Sequence, residues 1–303
     1  MNPAIDRTIT VDRLAFEDRA YILSTRDTPG GRGINASSVI HSFGGKTLAV
    51  LPAGGSSGKR FREFLVNCGF PIKVVLIRNR VRTNLTITDS HGLTAKLNEF
   101  GPRLNDTEVK KVEKELRSNL GGATWLMLCG SLPPGVEPEL YARIIHHARD
   151  RNIRTLLDTD GDALRLGLAA KPDFVYPNQE EAERLLNTAL ITRNNALSSA
   201  ERIHKMGAES VVLSLGARGA VGYHKGKLYE AVPPRVDAVS PIGAGDAMAA
   251  AFLWATDNGE RFETALRWAV AAGTASAALP GMRFASKEEA GKIFPDVSIQ
   301  EVE

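Results

Sequence analysis

The sequence predicts an α/β fold with a parallel central sheet that helices flank on both faces, and a small antiparallel sheet beside it. Short, wholly apolar stretches such as "WLMLCG", "IRTLLDT", "DFVYPN" and "SVVLSLG" are separated by amphipathic stretches such as "EPELYARIIHHARD". Strands that are apolar throughout are buried on both faces, which is typical of parallel strands joined by helices. The small sheet is predicted because "RTITVDRL", "AYILST" and "TNLTITDSHGLTAKLNEF" alternate between apolar and polar residues, as half-buried strands do.

Turn and cap signals support the elements outside the alternating half of the chain. The last of the alternating stretches folds back at "DSHG", whose residue types favour a hairpin turn. "LNDTEVKKVEKELRSNL" predicts a surface helix in which Asn105 and Glu108 form a capping box, while Val109 and Val112 lie on the buried stripe. "WAVAAGTASAALPG" is alanine-rich and too short to cross a membrane, so it predicts a closely packed core helix.

The composition is that of an ordinary globular protein and argues against several classes. The chain has 303 residues, of which 43% are hydrophobic and 24% charged, so it is long enough for one large domain. The net charge is +3 and the basic residues are scattered, which argues against a nucleic-acid partner. The first residues lack the apolar core segment of a leader peptide. We therefore expect a cytoplasmic protein with neither a nucleic-acid nor a membrane partner.

The cysteines and histidines indicate neither a disulfide framework nor a metal centre. The two cysteines, Cys68 and Cys129, both lie in apolar segments, which predicts buried reduced thiols. The six histidines lack the spacing of metal ligands, and the adjacent His146 and His147 would point about 100° apart on a helix. We therefore expect no metal held by histidine or cysteine.

Two glycine-rich stretches resemble nucleotide-binding motifs but fail on detail. "GGSSGKR" (54–60) follows Ala53 where a phosphate-binding P-loop needs its first glycine, and it has Arg60 where that loop needs Ser or Thr. "GRGINA" (31–36) fits a dinucleotide fingerprint, but the region about 20 residues further on, "LPAGGSSG", has no acid to bind a ribose. Neither stretch predicts a function on its own.

The stretch "SPIGAGDAM" (240–248) places Asp246 at the start of an alanine-rich helix, directly after Gly243 and Gly245. The start of a helix with bare backbone attracts anions, because its first N–H groups lack partners and the helix dipole is positive there. Taken alone, the stretch fits two interpretations. It is either a turn followed by an N-terminal helix acid, or a phosphate site beside a catalytic carboxylate.

Together with "NPAID", "PGGRGINAS", "RTN", "GSLPPG", "PNQEE" and "SLGARGA", the "GAGD" stretch resembles the PfkB/ribokinase family of sugar kinases over nearly the whole chain. The resemblance implies a single ribokinase-like domain over residues 1–303, with a small antiparallel β lid at about residues 7–24 and 81–100. The pieces "NPAID", "LPAGG", "GSLPPGV" and "VVLSLGARGA" are most similar to the branch that acts on phosphorylated ketohexoses. That branch contains bacterial minor 6-phosphofructokinase, tagatose-6-phosphate kinase and 1-phosphofructokinase.

The resemblance assigns phosphoryl transfer to the "GAGD" stretch. The backbone N–H groups of Gly243, Ala244 and Gly245 would hold the migrating phosphate. Asp246 would take the proton from the sugar hydroxyl as a general base. Phosphoryl transfer needs little more from a protein than positioning, charge neutralisation and such a base.

The resemblance also implies a site for a sugar phosphate. Gly30 and Gly31 would let the backbone approach the sugar, while Asp6 and Asn35 would bond its hydroxyls. Arg82 would bind the phosphate already on the sugar, because its planar fork suits that group. Ser131, at a strand end, would bind the same phosphate. Arg19, on the lid, would serve the site of the neighbouring subunit. A turn acid and a solvated strand arginine are the alternatives for Asp6 and Arg82.

A nucleotide site is implied by "PNQEE" and "SLGARGA". Asn178 and Glu181 would organise Mg²⁺ and its waters, Glu181 acting through a water, while Glu180 would be a solvated helix acid. The other implied contacts are Ser214 and Gly216 on the nucleotide, Gly219 shaping the turn, and Val270 and Gly273 lining the adenine pocket. For the last two, plain helix packing is the alternative.

Three features depart from the family pattern. Tyr176 stands just before "PN", where close relatives have a lysine that reaches the nucleotide phosphates, and a phenol supplies no charge. Pro241 stands before the anion-binding loop, where many members have a hydroxyl residue, so binding of a monovalent cation by this loop stays open. Relatives have a strand before "NPAID", so either further chain precedes Met1 or an interior strand is lacking.

The resulting hypothesis is an ATP- and Mg²⁺-dependent kinase that phosphorylates the C1 hydroxyl of fructose 6-phosphate or tagatose 6-phosphate. Fructose 1-phosphate, an unphosphorylated sugar and a nucleoside are alternative acceptors. A sugar-phosphate sensor without catalysis is the alternative of another class, favoured by Tyr176 and opposed by Asp246. Lids of this family often pair between subunits, so we expect a homodimer through the lid.

Overall fold

The computed structural model describes residues 1–15, 17–281 and 283–302. The strands are β1 (Ala4–Val11), β2 (Ile22–Gly30), β3 (Ala49–Gly54), β4 (Ile72–Ile77), β5 (Arg82–Asp89), β6 (Thr94–Asn98), β7 (Trp125–Cys129), β8 (Arg154–Asp158), β9 (Phe174–Val175), β10 (Ser210–Ser214), β11 (Ala220–His224), β12 (Lys227–Val232) and β13 (Ser298–Val302). The α-helices are α1 (Arg32–Ser42), α2 (Gly55–Val66), α3 (Asp106–Ser118), α4 (Leu140–Arg149), α5 (Gly161–Ala169), α6 (Gln179–Leu186), α7 (Arg193–Lys205), α8 (Ala244–Asp257), α9 (Phe262–Ala277) and α10 (Lys287–Ile293).

The chain divides into two compact units. The first unit comprises Met1–Ile34, Leu48–Asn119 and Leu132–Val136. The second comprises Asn35–Thr47, Leu120–Ser131 and the chain from Glu137 on. The expectation of a single domain over residues 1–303 stays a prediction, and the two units are described separately.

The first unit contains a four-stranded sheet in the order β2-β1-β5-β6. The pairs β1–β2 and β5–β6 are antiparallel, as the alternating pattern predicts, but β1 and β5 run parallel. A parallel pair needs a long crossover, and the chain between β1 and β5 supplies one because β2, α1, β3, α2 and β4 lie within it. The small sheet is therefore mixed. Its strands β1 and β2 extend beyond the range 7–24, while β5 and β6 lie within the range 81–100.

The rest of the first unit packs on a second sheet, the parallel pair β3–β4. Helix α2 begins at Gly55 directly after β3, so "GGSSGKR" is the start of a helix. The core of this unit includes Leu51, Phe61 and Phe70, of which Phe61 is fully buried. Helix α3 has the predicted capping box: the Glu108 N–H donates to the Asn105 side chain, and the Glu108 carboxylate accepts from the Asn105 N–H.

The second unit is built on a seven-stranded sheet in the order β13-β12-β11-β10-β9-β8-β7. Strands β7 to β10 run parallel, as predicted. Strands β11, β12 and β13 add to this sheet in antiparallel fashion. Short connections join β10, β11 and β12, and such connections allow only antiparallel hairpin pairing. The sequence interpretation did not predict these antiparallel strands.

Helices flank the parallel part of this sheet on both faces. Neighbouring residues on a strand point to opposite faces, and Leu156 and Leu157 on β8 are both 0% exposed. Leu156 belongs to the core that α8 and α9 cover. The wholly apolar strand pattern is therefore explained by burial on two sides, as predicted.

Helices α8 and α9 approach each other closely because their shared face is made of small residues. Ala249, Ala250 and Ala269 are fully buried there. A Cβ added to Gly273 on α9 would overlap with the side chain of Met248 on α8. This packing fixes the first turn of α8, which contains the predicted catalytic residue. Among the described residues no helix combines the length and apolar character that crossing a membrane requires.

Candidate active site

The phosphate loop, defined here as residues 243–246, is shaped by a glycine that precedes α8. Gly243 is the N-cap of α8 with φ 79°, in the left-handed region, and it has no side-chain cap. A Cβ at this position would lie 2.7 Å from Cε1 of Phe284. Glycine is therefore required by both backbone conformation and space, and the first turn of α8 presents its N–H groups instead of a capping side chain.

The amides of the phosphate loop differ in what they contact. The Ala244 N–H donates to the Pro241 carbonyl at 3.3 Å, so one amide is used within its own turn. Around Gly245, apart from its chain neighbours and the backbone of its own helix, no atom of the described residues lies within 4 Å of the position of an added Cβ. The first-turn amides at Gly245 and Asp246 cannot bond within the helix, because helical bonds reach back four residues. The predicted role of Ala244 therefore competes with an internal bond, while open space surrounds Gly245.

Asp246 is held by a residue from a distant part of the sequence. The Asn35 side-chain amide donates to Oδ2 of Asp246 at 2.7 Å, across 211 residues of sequence. Asn35 lies on α1 and is 5% exposed, so its orientation is fixed by packing. We expected Asn35 to bond a sugar hydroxyl, and the structure gives its amide N–H to the carboxylate. Asn35 thus orients Asp246, a contact that no local signal indicates.

The predicted hydroxyl-binding aspartate lies on β1 opposite an asparagine on β5. The strand register pairs Asp6 with Asn84, and Ala4 with both Arg82 and Gly30. The Asn84 side-chain amide donates to Oδ1 of Asp6 at 2.8 Å. Asp6 and Asn84 are called the acceptor pair below. Three residues predicted from separate motifs, Asp6, Gly30 and Arg82, are thus brought together in the first unit.

The carboxyl group of the acceptor pair is buried, and its pKa is shifted. Burial raises the pKa of the Asp6 carboxyl above its usual value, and the hydrogen bond from Asn84 and the charge of Arg82 offset part of the rise. Asp6 is 8% exposed. A Cβ on Gly30 would overlap with this carboxylate, so glycine is the residue that leaves room for Asp6. Gly31 has φ 109°, which also favours glycine.

Asn84 is a site residue that the sequence interpretation missed. Among the described residues, its Oδ1 atom is one of the buried polar atoms without a hydrogen-bond partner. A buried acceptor of this kind is costly unless a ligand satisfies it. The signal was present in "RTN", since Arg82 and Asn84 are two residues apart on one strand and so share a face.

The other predicted sugar-phosphate residues lie at strand ends and in a loop. The Arg82 guanidinium donates to the Glu99 carbonyl at 3.0 Å. Ser131 follows β7 and is half-buried, and Arg19 is exposed in the loop between β1 and β2. Their contacts with a sugar phosphate stay predictions.

The two nucleotide motifs meet at the carboxyl edge of the second unit's sheet. Asn178 and Ser214 form a parallel bridge. The Ser214 N–H donates to the Pro177 carbonyl at 3.0 Å. The Arg218 guanidinium donates to Oε1 of Gln179 at 2.8 Å, which joins the "SLGARGA" loop to "PNQEE". Ligands bind at this edge in open α/β sheets, so the position suits a nucleotide.

The two glycines of "SLGARGA" are required for different reasons. Gly216 has φ 60° with open space around it, whereas a Cβ on Gly219 would overlap with the Ala231 carbonyl. Val270 is 1% exposed in the core, and Gly273 contacts Met248. Both of these residues thus serve the packing of α9, and their predicted contact with adenine stays a prediction.

Comparison with known proteins accounts for the order of these motifs. The model of the family described as pfkB family carbohydrate kinase matches residues 1–289. The chain is 32% identical over 299 residues to ATP-dependent 6-phosphofructokinase isozyme 2 of Escherichia coli, covering 98% of this chain and 96% of that one. The chain belongs to the pfkB family of carbohydrate kinases.

Two further matches have similar coverage. The kinase is 29% identical over 278 residues to 1-phosphofructokinase of Borreliella burgdorferi, covering 91% of this chain and 90% of that one. The crystal structure of Escherichia coli phosphofructokinase-2 in complex with substrates and products superposes with a TM-score of 0.91 at 32% identity, covering 98% of this chain and 97% of that one. The ribokinase-like fold and the kinase activity predicted from the motifs are confirmed.

The predicted role of Glu181 toward a divalent metal stays a prediction for this pfkB kinase. Among the described residues, no group of three or more His, Cys, Asp or Glu side chains could hold a metal. The Glu181 carboxylate accepts from the Asn178 N–H at 2.9 Å, in a capping box that also uses the Asn178 side chain. Mg²⁺ keeps most of its waters and takes few protein ligands, so a water-mediated role for Glu181 suits the geometry.

Tyr176 is the residue of this kinase that departs from the family pattern just before "PN". It follows β9, and its backbone N–H donates to the Leu157 carbonyl at 2.9 Å. The side chain is 3% exposed and belongs to the core beneath α8. Burial raises the pKa of its phenol well above the usual value, and the charges of Asp158 and Asp246 add to the rise. The phenol is therefore neutral at physiological pH.

Proposed function

We propose that the protein transfers the terminal phosphoryl group of ATP to the C1 hydroxyl of fructose 6-phosphate, with tagatose 6-phosphate as the closest competitor. The observation that carries the proposal is Asp246, held by Asn35 at the start of a helix whose first amides are uncapped by a side chain. The relatives support the substrate class, because they are named as 6-phosphofructokinase and 1-phosphofructokinase.

In this proposal Asp246 takes the proton of the attacking hydroxyl, a task worth roughly 10²–10⁴ in rate. The uncapped amides of the phosphate loop stabilise the negative charge on the phosphate in flight, each worth about 3 kcal/mol of barrier. Asn35 keeps the carboxylate in one orientation. The positive end of α8 adds to the stabilisation.

The acceptor pair recognises the sugar. Asp6 accepts hydrogen bonds from sugar hydroxyls, and Oδ1 of Asn84 accepts another, which satisfies an otherwise orphaned atom. A site of paired polar groups discriminates strongly against analogues that lack the matching hydroxyl. Arg82 and Ser131 are assigned to the phosphate already on the sugar.

The nucleotide is assigned to Asn178, Ser214, Gly216 and Gly219, with Mg²⁺ held through water at Glu181. When bound, Mg²⁺ neutralises charge on the phosphates. Escherichia coli phosphofructokinase-2 has been solved with potassium, which supports a monovalent-cation site near Pro241 in this chain. Replacing potassium by tetramethylammonium in the assay and finding unchanged activity would contradict that assignment.

The decisive assay incubates the purified protein with MgATP and a panel of acceptors, namely fructose 6-phosphate, tagatose 6-phosphate, fructose 1-phosphate and fructose, and follows ADP. The highest kcat/KM is expected for fructose 6-phosphate, with phosphorus NMR showing a 1,6-bisphosphate. A preference for fructose, or ADP release without a phosphorylated sugar, contradicts the proposal.

Arg82→Ala tests whether Arg82 binds the phosphate that the acceptor sugar already carries. The KM for fructose 6-phosphate should rise by about two orders of magnitude, because a charge-assisted fork is lost. Arg80→Ala is the matched control, since Arg80 also contacts Glu99, through an exposed ion pair at 2.8 Å. An equal KM change in both variants contradicts the role of Arg82.

The edge of the mixed sheet suits a homodimer through the lid. Tyr21, Ile22 and Leu23 are 64%, 63% and 62% exposed, three consecutive apolar residues at the edge strand β2. An exposed apolar edge is typical of a protein interface. Arg19 lies in the loop before this strand, where it could serve the site of a second copy.

Light scattering should show a dimer for the parent protein and a monomer for Ile22→Asp. A tetramer in solution, like the tetrameric inhibited form of Escherichia coli phosphofructokinase-2, would contradict the proposed dimer.

A further inference from the structure

Tyr176 has a buried hydroxyl for which the described residues supply no hydrogen-bond partner. The residue is 3% exposed, and its ring packs in the core cluster with Val212, Met248 and Phe252. Among the described residues, the Tyr176 hydroxyl is one of the buried polar atoms without a hydrogen-bond partner. The ring alone would be served equally well by phenylalanine, which has no group to satisfy. A hydroxyl kept in this position calls for an acceptor outside the protein.

Tyr141 shows what a satisfied tyrosine in the same unit looks like. It is 1% exposed, and its hydroxyl reaches the carbonyl oxygens of Cys129 and Gly130 at 2.9 Å each. Both tyrosines are therefore equally buried, and they differ in whether the fold supplies an acceptor. The lack of a partner for Tyr176 is a local property of its position and not a general feature of this core.

The position of Tyr176 limits the acceptor to a few chemical classes. The residue lies at the carboxyl edge of the sheet, between β9 and the bridge that joins Asn178 to Ser214. The charges of Asp158 and Asp246 act on its phenol. Because the neutral phenol keeps its proton, it can donate a hydrogen bond to an oxygen of the ligand. An acceptor beside two carboxylates binds best when it arrives with a cation, as the phosphate chain of a magnesium nucleotide does.

We propose that the Tyr176 hydroxyl donates a hydrogen bond to a phosphate oxygen of the bound magnesium nucleotide, which makes it a donor-binding residue. This inference rests on the proposed function in that it takes the nucleotide to be the phosphate donor. It assigns to a neutral phenol a phosphate contact for which the resemblance implies a lysine. Recognition of the donor then depends on a hydrogen bond and on the divalent cation, without a protein charge at this position.

Tyr176→Phe removes the hydroxyl and keeps the ring. Calorimetric titration with magnesium adenylyl imidodiphosphate should show a Kd about tenfold higher than in the parent, the usual weight of one charge-assisted hydrogen bond. The KM for the acceptor should stay within about twofold, since the acceptor pair is untouched. The Tm should stay at or above the parent value, because no hydrogen bond within the protein is lost.

Tyr141→Phe is the matched control. It should lower the Tm by about 2 °C, since the hydrogen bond from the Tyr141 hydroxyl to the Cys129 and Gly130 carbonyls is lost, and it should leave the nucleotide Kd unchanged. Titration without Mg²⁺ gives a second contrast. Tyr176→Phe and the parent should then bind the nucleotide weakly and alike, because the uncompensated charges of Asp158 and Asp246 dominate.

Three results would overturn the inference: an unchanged nucleotide Kd in Tyr176→Phe, an equal loss in both tyrosine variants, or a fall in kcat with the nucleotide Kd unchanged, which would mean that the hydroxyl acts on Asp246. The binding arm needs no sugar. A parent that binds the magnesium nucleotide but phosphorylates no acceptor contradicts the proposed function, while the comparison of the two variants still decides the role of Tyr176.

Discussion

The acceptor pair of the first unit and the phosphate loop of the second unit are built in opposite ways. Asp6 and Asn84 are 78 residues apart in sequence, and strand register brings them to 2.8 Å. The phosphate loop is four consecutive residues whose geometry follows from one left-handed glycine. In the proposed function, recognition of the sugar therefore depends on how distant strands pair, whereas phosphoryl transfer depends on a local turn. Mutations in the two regions should therefore separate into KM and kcat effects.

Asp246→Asn should have the largest effect. The kcat should fall by roughly 10²–10⁴ while the KM for the acceptor changes little, because the general base is lost and the acceptor pair is intact. Asp257→Asn, at the other end of α8 in a hydrogen bond with Thr124, is the matched control and should keep the parent kcat. A folded Asp246→Asn protein with parental turnover would remove the basis of the proposed chemistry.

Gly30→Ala should act mainly on the KM for the sugar. The added methyl overlaps with the Asp6 carboxylate, so Asp6 must shift and the KM should rise by about 10²-fold, equivalent to a misplaced hydrogen-bonding group. Gly58→Ala on α2 is the control, since its Cβ would meet only Ala53, at 3.8 Å. Steady-state kinetics on both variants is the measurement. A change of kcat and not of KM in Gly30→Ala would contradict the separation of sugar recognition from phosphoryl transfer.

Asn84→Ala should raise the KM for the acceptor by about tenfold, because it removes the donor to Asp6 and the orphaned acceptor together. The kcat at saturating sugar should be close to that of the parent. Thr86→Val, two residues along the same strand, provides the control. If acceptors lacking one hydroxyl are discriminated equally well by Asn84→Ala and the parent, Asn84 only supports the fold.

The smallest effect concerns the pH dependence of stability. The pKa of Asp6 is raised in the folded state, so folding is favoured by its protonated form. The stability from Asp6 is present below about pH 4, its unfolded pKa, and is lost as pH rises through the folded pKa. The Tm of Asp6→Asn, relative to the parent, should therefore rise between about pH 4 and pH 7. An unchanged difference across this range would mean that Asp6 is not destabilised by burial.

Much of the fold could be predicted from the sequence because its signals are local. Periodicity located β7, β8 and β10, and the capping box at Asn105 located the start of α3. The direction of β1 against β5, and of β11 and β12 against β10, could not be predicted in this way. Strand pairing depends on crossovers and turns between partners that a residue-by-residue pattern does not specify.

The same division holds for the site. Asp246 and Gly243 were predictable because the loop is contiguous, and the structure gives Gly243 the left-handed conformation that such a loop needs. The contact between Asn35 and Asp246 was not, since 211 residues separate them. Val270 is the converse case: its 1% exposure shows that it packs in the core, and the contact with adenine that its place in the motif order suggested stays a prediction.

The uncapped start of α8 has a practical consequence for anyone who maps this enzyme by alanine scanning. Residue 244 is already alanine, and Gly243→Ala would report a steric clash with Phe284 and not a lost donor. A scan would therefore test the Asp246 carboxylate and leave the proposed contribution of the backbone amides untested. Replacing individual peptide bonds by esters, which deletes one N–H and leaves every side chain in place, is the experiment that would test these amides.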